Sequence, residues 1–166
     1  YLNDNRLNGT LPTNFASFSA LQVLILSNNK LQGSIPPSIA SAPKLRKLLL
    51  ANNQLSGRLP DPSVTNPAFF TFDVQNNNLS GPITDSMFPP LPKLYIFQLS
   101  GNRFTGPVPL VLARCPSLVE VSISEGMECP SPVSACTPSL TSLLASSAAP
   151  LAFCSLCPNL CTYCKA

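Results

Sequence analysis

An asparagine returns at a fixed interval along this chain: Asn5, Asn29, Asn53, Asn77 and Asn102, spaced 24, 24, 24 and 25 residues apart. The sequence repeats itself around each one. LQVLILSNNKLQGSIP begins at Leu21, LRKLLLANNQLSGRLP at Leu45, FFTFDVQNNNLSGPIT at Phe69 and LYIFQLSGNRFTGPVP at Leu94. The chain opens mid-unit with LNDNRLNGTLP, and a sixth unit, LVEVSISEGMECP from Leu118, has Gly126 where the asparagine is due. One unit of this size cannot bury its own leucines. The units must therefore stack into a solenoid with a continuous core.

Each unit reads L-x-x-L-x-L-x-x-N-x-L-x-G-x-I-P. The L-x-L core alternates with period two, which predicts a short strand with its leucines inward. The asparagine follows the strand, where the chain must bend. Its amide can satisfy backbone groups left unpaired there, so stacked units predict an asparagine ladder. The glycine suits a backbone conformation closed to other residues, and the proline fixes an extended or turn geometry. Thr84 replaces that proline in the third full unit, and phenylalanine replaces leucine at positions 69, 72, 97 and 104, as volume exchanges in a tolerant core.

Composition narrows the function. Of the 166 residues only 10% are charged, with a net charge of +3 and no basic stripe, so no nucleic-acid partner is expected. No apolar run is long enough for a transmembrane segment. Histidine is absent, which removes Ser-His-Asp triads, Cys-His nucleophiles and mixed Cys/His zinc sites. The carboxylates near the strand face are Asp4, Asp73 and Glu120. Strand spacing puts Asp4 and Asp73 about 14 Å apart, and Asp73 and Glu120 more than about 10 Å apart. A glycosidase pair needs roughly 5–9.5 Å. The chain reads as a non-enzyme that needs no cofactor and no metal.

Residues alternating with the buried leucines form rows on the outer strand face. One row is Val23, Lys47, Thr71, Ile96 and Glu120; the next is Ile25, Leu49, Asp73, Gln98 and Ser122. A third runs Asn3, Ser27, Ala51, Gln75, Ser100 and Ser124. Val23, Ile25, Leu49 and Ile96 are expected to make a small apolar patch within a binding face. Two N-x-[ST] sequons, at Asn8 and Asn78, occupy outward repeat positions and predict N-glycosylation; the N-x-C form at Asn159 is discounted.

The units resemble the plant-type subclass of leucine-rich repeats, marked by L-x-G-x-I-P, across residues 1–128. The chain is similar there to receptor-kinase ectodomains and to secreted polygalacturonase-inhibiting-type proteins. The resemblance implies an α/β repeat: a leucine-rich repeat solenoid with a parallel concave β-sheet, and a second short sheet near the G-x-I-P segment. It also implies an extracellular setting and recognition of a protein, peptide or carbohydrate. Cys115 sits where this family commonly carries a lone buried cysteine, which implies a free, packed thiol.

Residues 129–166 are rich in Cys, Pro and Ser and are expected to cap the last repeat. Leu140, Leu143, Leu144, Ala148 and Leu151 recur at helical spacing, with Pro150 expected to end or kink that helix. Six cysteines lie here: Cys129, Cys136, Cys154, Cys157, Cys161 and Cys164. An even number in an oxidising compartment suits three disulfides. A local Cys129–Cys136 bridge and long-range bridges tying the last four to the solenoid end both remain open. In CSLCPNLCTYC the two C-x2-C pairs are too close for a zinc ribbon, and no thioredoxin-like pattern surrounds them. The leading reading is extracellular recognition on the concave face. The second is a structural glycoprotein of the cell wall or matrix, in which copies of the chain join end to end from an uncapped N-terminal edge.

Overall fold

The computed structural model describes residues 1–39, 41–60, 69–87, 91–130 and 151–158. Each unit contributes to two parallel sheets. The second-sheet strands are β1 (Asn8–Thr10), β3 (Lys30–Gly33), β5 (Gln54–Gly57), β7 (Asn78–Pro82), β9 (Arg103–Pro107) and β11 (Met127–Glu128). The first sheet holds β2 (Val23–Ile25), β4 (Lys47–Leu49), β6 (Thr71–Asp73), β8 (Ile96–Gln98) and β10 (Glu120–Ser122). The repeat count suggests about six strands in that first sheet, and five form among the described residues. Residues 2–4 continue the sheet's hydrogen bonding beyond β2 without forming a strand: Leu2 N–H and Asp4 N–H donate to Ile25 and Ser27 carbonyls at 2.9 and 3.0 Å. Opposite the first sheet the chain passes through 3-10 turns, at Phe15–Ser17, Pro37–Ile39, Asp85–Met87 and Leu110–Arg114.

Register follows the repeat. In the first sheet Leu24 pairs with Leu48, Leu48 with Phe72, Phe72 with Phe97 and Phe97 with Val121, so equivalent residues stack in columns. In the second sheet Asn8 pairs with Lys30 and not with its repeat equivalent Gln32. The second-sheet strands from β1 to β9 are thus staggered by two residues per unit. Leu50, Leu55, Leu79, Leu99 and Phe104 are fully buried between the sheets. The phenylalanine substitutions compensate one another: Phe72 stacks on Phe97 at 5.4 Å and tilts against Phe69 at 6.1 Å. Where Thr84 replaces proline it brings an N–H that proline lacks, and that N–H donates to Met87 Sδ at 3.3 Å.

The ladder is present in every intact unit. Asn53 Oδ1 accepts from Leu31 N–H at 3.0 Å, and its Nδ2 donates to the carbonyls of Leu26, Leu50 and Ala51. Asn29, Asn77 and Asn102 repeat this pattern. The Asn5 side chain bonds within its own unit, to Leu2 and Asn3 carbonyls, while its backbone N–H donates to Asn28 O at 3.2 Å. A second, exposed ladder runs beside the first. Asp4, Asn28, Asn52 and Asn76 hold φ of 57°, 59°, 55° and 54°, a region asparagine and aspartate tolerate better than other side-chain-bearing residues. Their side chains bond in series: Asn76 to Asn52, Asn52 to Asn28 and Asn28 to Asp4. The glycines of L-x-G also lie at positive φ, as at Gly33 and Gly57.

At the C-terminal end a short helix, α1 (Leu151–Leu156), packs on β10 and the Leu110–Arg114 turn. Leu151 opens it on the C-terminal side of Pro150; residues 140–150 of the helix expected from sequence lie outside the described residues. Cys129 is bonded to Cys157, 28 residues away, with Cα atoms 5.6 Å apart. The bridge at Cys129 is therefore the long-range one, and the local Cys129–Cys136 alternative is not formed. Cys154 is also disulfide-bonded, so neither it nor Cys157 is left as a thiolate for a metal. Cys136, Cys161 and Cys164 lie outside the described residues. Cys115 is free and 1% exposed, and burial pushes its thiol pKa up.

Two outcomes follow. Asn53→Ala removes the four hydrogen bonds of one ladder rung and should destabilise the chain by about 2–3 kcal/mol. Asn52→Gly keeps the left-handed backbone and should change stability by less than about 0.5 kcal/mol. Denaturant melts of the two variants compare them directly; equal losses would remove the special role of the first ladder. Cys157→Ser should cost about 2–4 kcal/mol and open the last repeat first. Hydrogen exchange at Val121 and Ser122 should then accelerate more than at Leu48, and uniform acceleration would count against a local staple.

Candidate functional site

The first sheet turns Leu48, Phe72 and Phe97 inward, and strand alternation turns the flanking residues outward. The outer face encloses a shallow hollow of ≈ 350 Å³ across β4, β6, β8 and β10. Lys47 and Leu49 line it from β4, Thr71 and Asp73 from β6, Ile96 and Gln98 from β8 and Glu120 from β10. Gln75, just past β6, completes the lining. Val23 and Ile25 lie beside it on β2, half-buried and outside the hollow.

Three sequence expectations need correction. The apolar patch divides, because β6 with Thr71 and Asp73 separates Ile96 from Val23, Ile25 and Leu49. The third row is not uniformly outward: Ala51 is 4% and Ser124 1% exposed. Ser124 turns in because its Oγ donates to Leu99 O at 3.0 Å, the carbonyl that an asparagine at position 126 would serve. Asp4 is not on the strand face at all; it ends the exposed Asx ladder, accepting from Asn28.

The hollow's polar groups are linked. Gln98 Nε2 donates to Glu120 Oε1 at 2.7 Å. Asp73 accepts from Gln75 N–H at 3.1 Å and from Gln75 Nε2 at 3.3 Å. Burial raises the Asp73 carboxyl above its ordinary pKa; the Gln75 bonds oppose the rise and the Glu120 charge adds to it. Beside the hollow lies a ridge that the strand pattern did not single out. Phe70 and Tyr95 are 37% and 39% exposed and stack with centroids 5.2 Å apart, and Val119 follows at 59% exposed. Lys47 Nζ sits 5.5 Å from the Phe70 ring centroid. The signal was the paired apolar residues of FF, LY and LV at the start of successive units, whose second members have no inward place. Asn8 and Asn78 are both exposed, at the starts of β1 and β7. Among the described residues no cluster of three or more Cys, Asp or Glu could hold a metal, and no helix is long and apolar enough to cross a membrane.

The sequence model described as "Leucine rich repeat" matches residues 1–55. No curated protein matches the chain. Solved structures do. The BIR2 ectodomain from Arabidopsis thaliana is 31% identical, with a TM-score of 0.67 over 76% of this chain and 67% of that one. The LRR ectodomain of the receptor kinase SOBIR1 from Arabidopsis thaliana is 28% identical, with a TM-score of 0.70 over 77% and 71%. The plant peptide hormone receptor RGFR1, solved in complex with RGF2, is 31% identical, with a TM-score of 0.68 over 77% and 20%. The chain belongs to the plant-type leucine-rich-repeat proteins. It spans about a fifth of the length of the long receptors it matches, between 17% and 22% for three of them.

Asp73 gives the site a pH signature. Its raised pKa means that the folded chain holds this proton more tightly than the unfolded one. Its contribution to stability is complete below the unfolded pKa and is lost as pH rises through the folded pKa. Glu120 and Lys47 are the charged groups that share its hollow. Asp73→Asn should flatten this acidic part of the stability profile. In a carboxyl-carbon NMR titration Asp73 should titrate above the ordinary aspartate value, and a value at or below it would contradict the burial argument.

Proposed function

We propose that this chain is a non-catalytic, extracellular recognition module that binds a peptide or protein segment along the first-sheet face. The observation that carries the reading is the hollow. It sits on the outer face of the first sheet and combines Leu49 and Ile96 with a linked set of polar groups. Recognition sites join apolar contact to a few placed polar groups in this way. Similar solved structures support it: RGFR1 in complex with RGF2, PEPR1 with AtPEP1, and HAESA with the peptide hormone IDA and the co-receptor SERK1.

In this reading residues 1–128 form the binding solenoid and residues 129–166 its C-terminal cap. The cap's six cysteines pair in disulfides and Cys115 stays reduced. Asn8 and Asn78 carry N-glycans on the second sheet, away from the binding face.

Selection of peptides from a displayed random library tests the proposal. Selected peptides should lose at least about tenfold in affinity for Ile96→Glu, a charge placed in the hollow, at unchanged melting temperature. Ser41→Glu, an exposed site beyond the Pro37–Ile39 turn, should leave affinity as it is. A library that enriches nothing, or peptides indifferent to Ile96→Glu, would defeat the reading.

A further inference from the structure

We propose that the hollow between β6, β8 and β10 is a subsite for the guanidinium of one arginine side chain in the bound peptide. This rests on the recognition reading above and names the chemistry of one contact within it. The hollow is lined mainly by hydrogen-bond acceptors. Gln98 turns its Nε2 to Glu120, which leaves its Oε1 without a donor among the described residues. The Thr71 hydroxyl has no hydrogen-bond partner among them either. Both side chains are more than nine-tenths buried, at 8% and 5% exposure.

Unpaired oxygens at that depth carry a desolvation penalty unless they keep an opening. Among the described residues no fully buried side-chain N or O lacks a partner. The free oxygens of Thr71 and Gln98 therefore open outward, and the opening that both side chains line is the hollow. Asp73 and Glu120 add carboxylate oxygens to the same lining, and neither has a cationic partner among the described residues. Lys47, the cation of the lining, is placed toward the Phe70 ring at the rim. Two carboxylates thus face one ammonium. Burial is the main cause of the raised Asp73 pKa, and the Glu120 charge adds to it. A guanidinium offers five N–H donors in a planar fork and no acceptor, which complements such a lining.

The test is an NMR titration of the whole protein with N-acetyl-arginine methylamide, and in parallel with its uncharged citrulline analogue. Saturable shifts are expected at the Gln98 side-chain amide and at Thr71 and Asp73. Citrulline should bind about tenfold more weakly, and the Asp73→Asn/Glu120→Gln pair should weaken arginine binding by about tenfold. Thr71→Val keeps the side chain's shape and should weaken it severalfold, so the test survives a double variant that fails to fold. Equal response to arginine and citrulline, or shifts scattered outside the hollow, would overturn the subsite. The two proposals fail separately. Selected peptides that bind the face but ignore the Asp73 and Glu120 variants leave recognition standing and remove the subsite. Arginine binding in the hollow with no selectable peptide does the reverse.

Discussion

The strands of the first sheet end in a bend where backbone carbonyls turn away from any neighbouring N–H, and after β2, β4, β6 and β8 one asparagine amide supplies the missing donors. Asn53 ties its own strand end at Leu50 to the equivalent point of the preceding unit at Leu26, while its oxygen takes the Leu31 N–H. A single side chain thereby closes the bend and couples two units. Stacking alone would let the leucine columns slide, because apolar contact is non-directional. The ladder's hydrogen bonds have direction, and they hold neighbouring units one full repeat apart.

The consequence reaches the outer face. With a one-repeat offset, positions 47, 71, 96 and 120 fall in one row and 49, 73 and 98 in the next. The polar residues of that face meet only because of this register. Gln98 finds Glu120 on the adjacent strand, and Thr71 is buried in its row between Lys47 and Ile96. At the C-terminal end the ladder changes hands. Gly126 lies where an added Cβ would come within 2.8 Å of the Phe104 carbonyl, so no asparagine fits. Ser124 reaches Leu99 O in its place, and the Cys129–Cys157 bridge ties α1 over the unit with the weakest internal closure.

The sequence by itself determined the solenoid. A period near 24, leucines at fixed offsets, an asparagine after the strand in all but the last unit and a glycine in L-x-G leave little choice, since the units repeat the same local solution. It also pointed to the hollow: Lys47, Leu49, Thr71, Asp73, Gln75, Ile96, Gln98 and Glu120 follow from strand alternation alone. The tertiary structure decided what alternation cannot express. Side chains long enough to reach the next strand choose partners by distance, so Gln98 turned to Glu120, Ser124 turned inward and the apolar patch divided at β6. The exposed Asx ladder depends on left-handed backbone at positions that the repeat consensus leaves variable. The partner of Cys129 depended on where α1 docks, a contact between segments 28 residues apart. No periodicity within either segment records that contact.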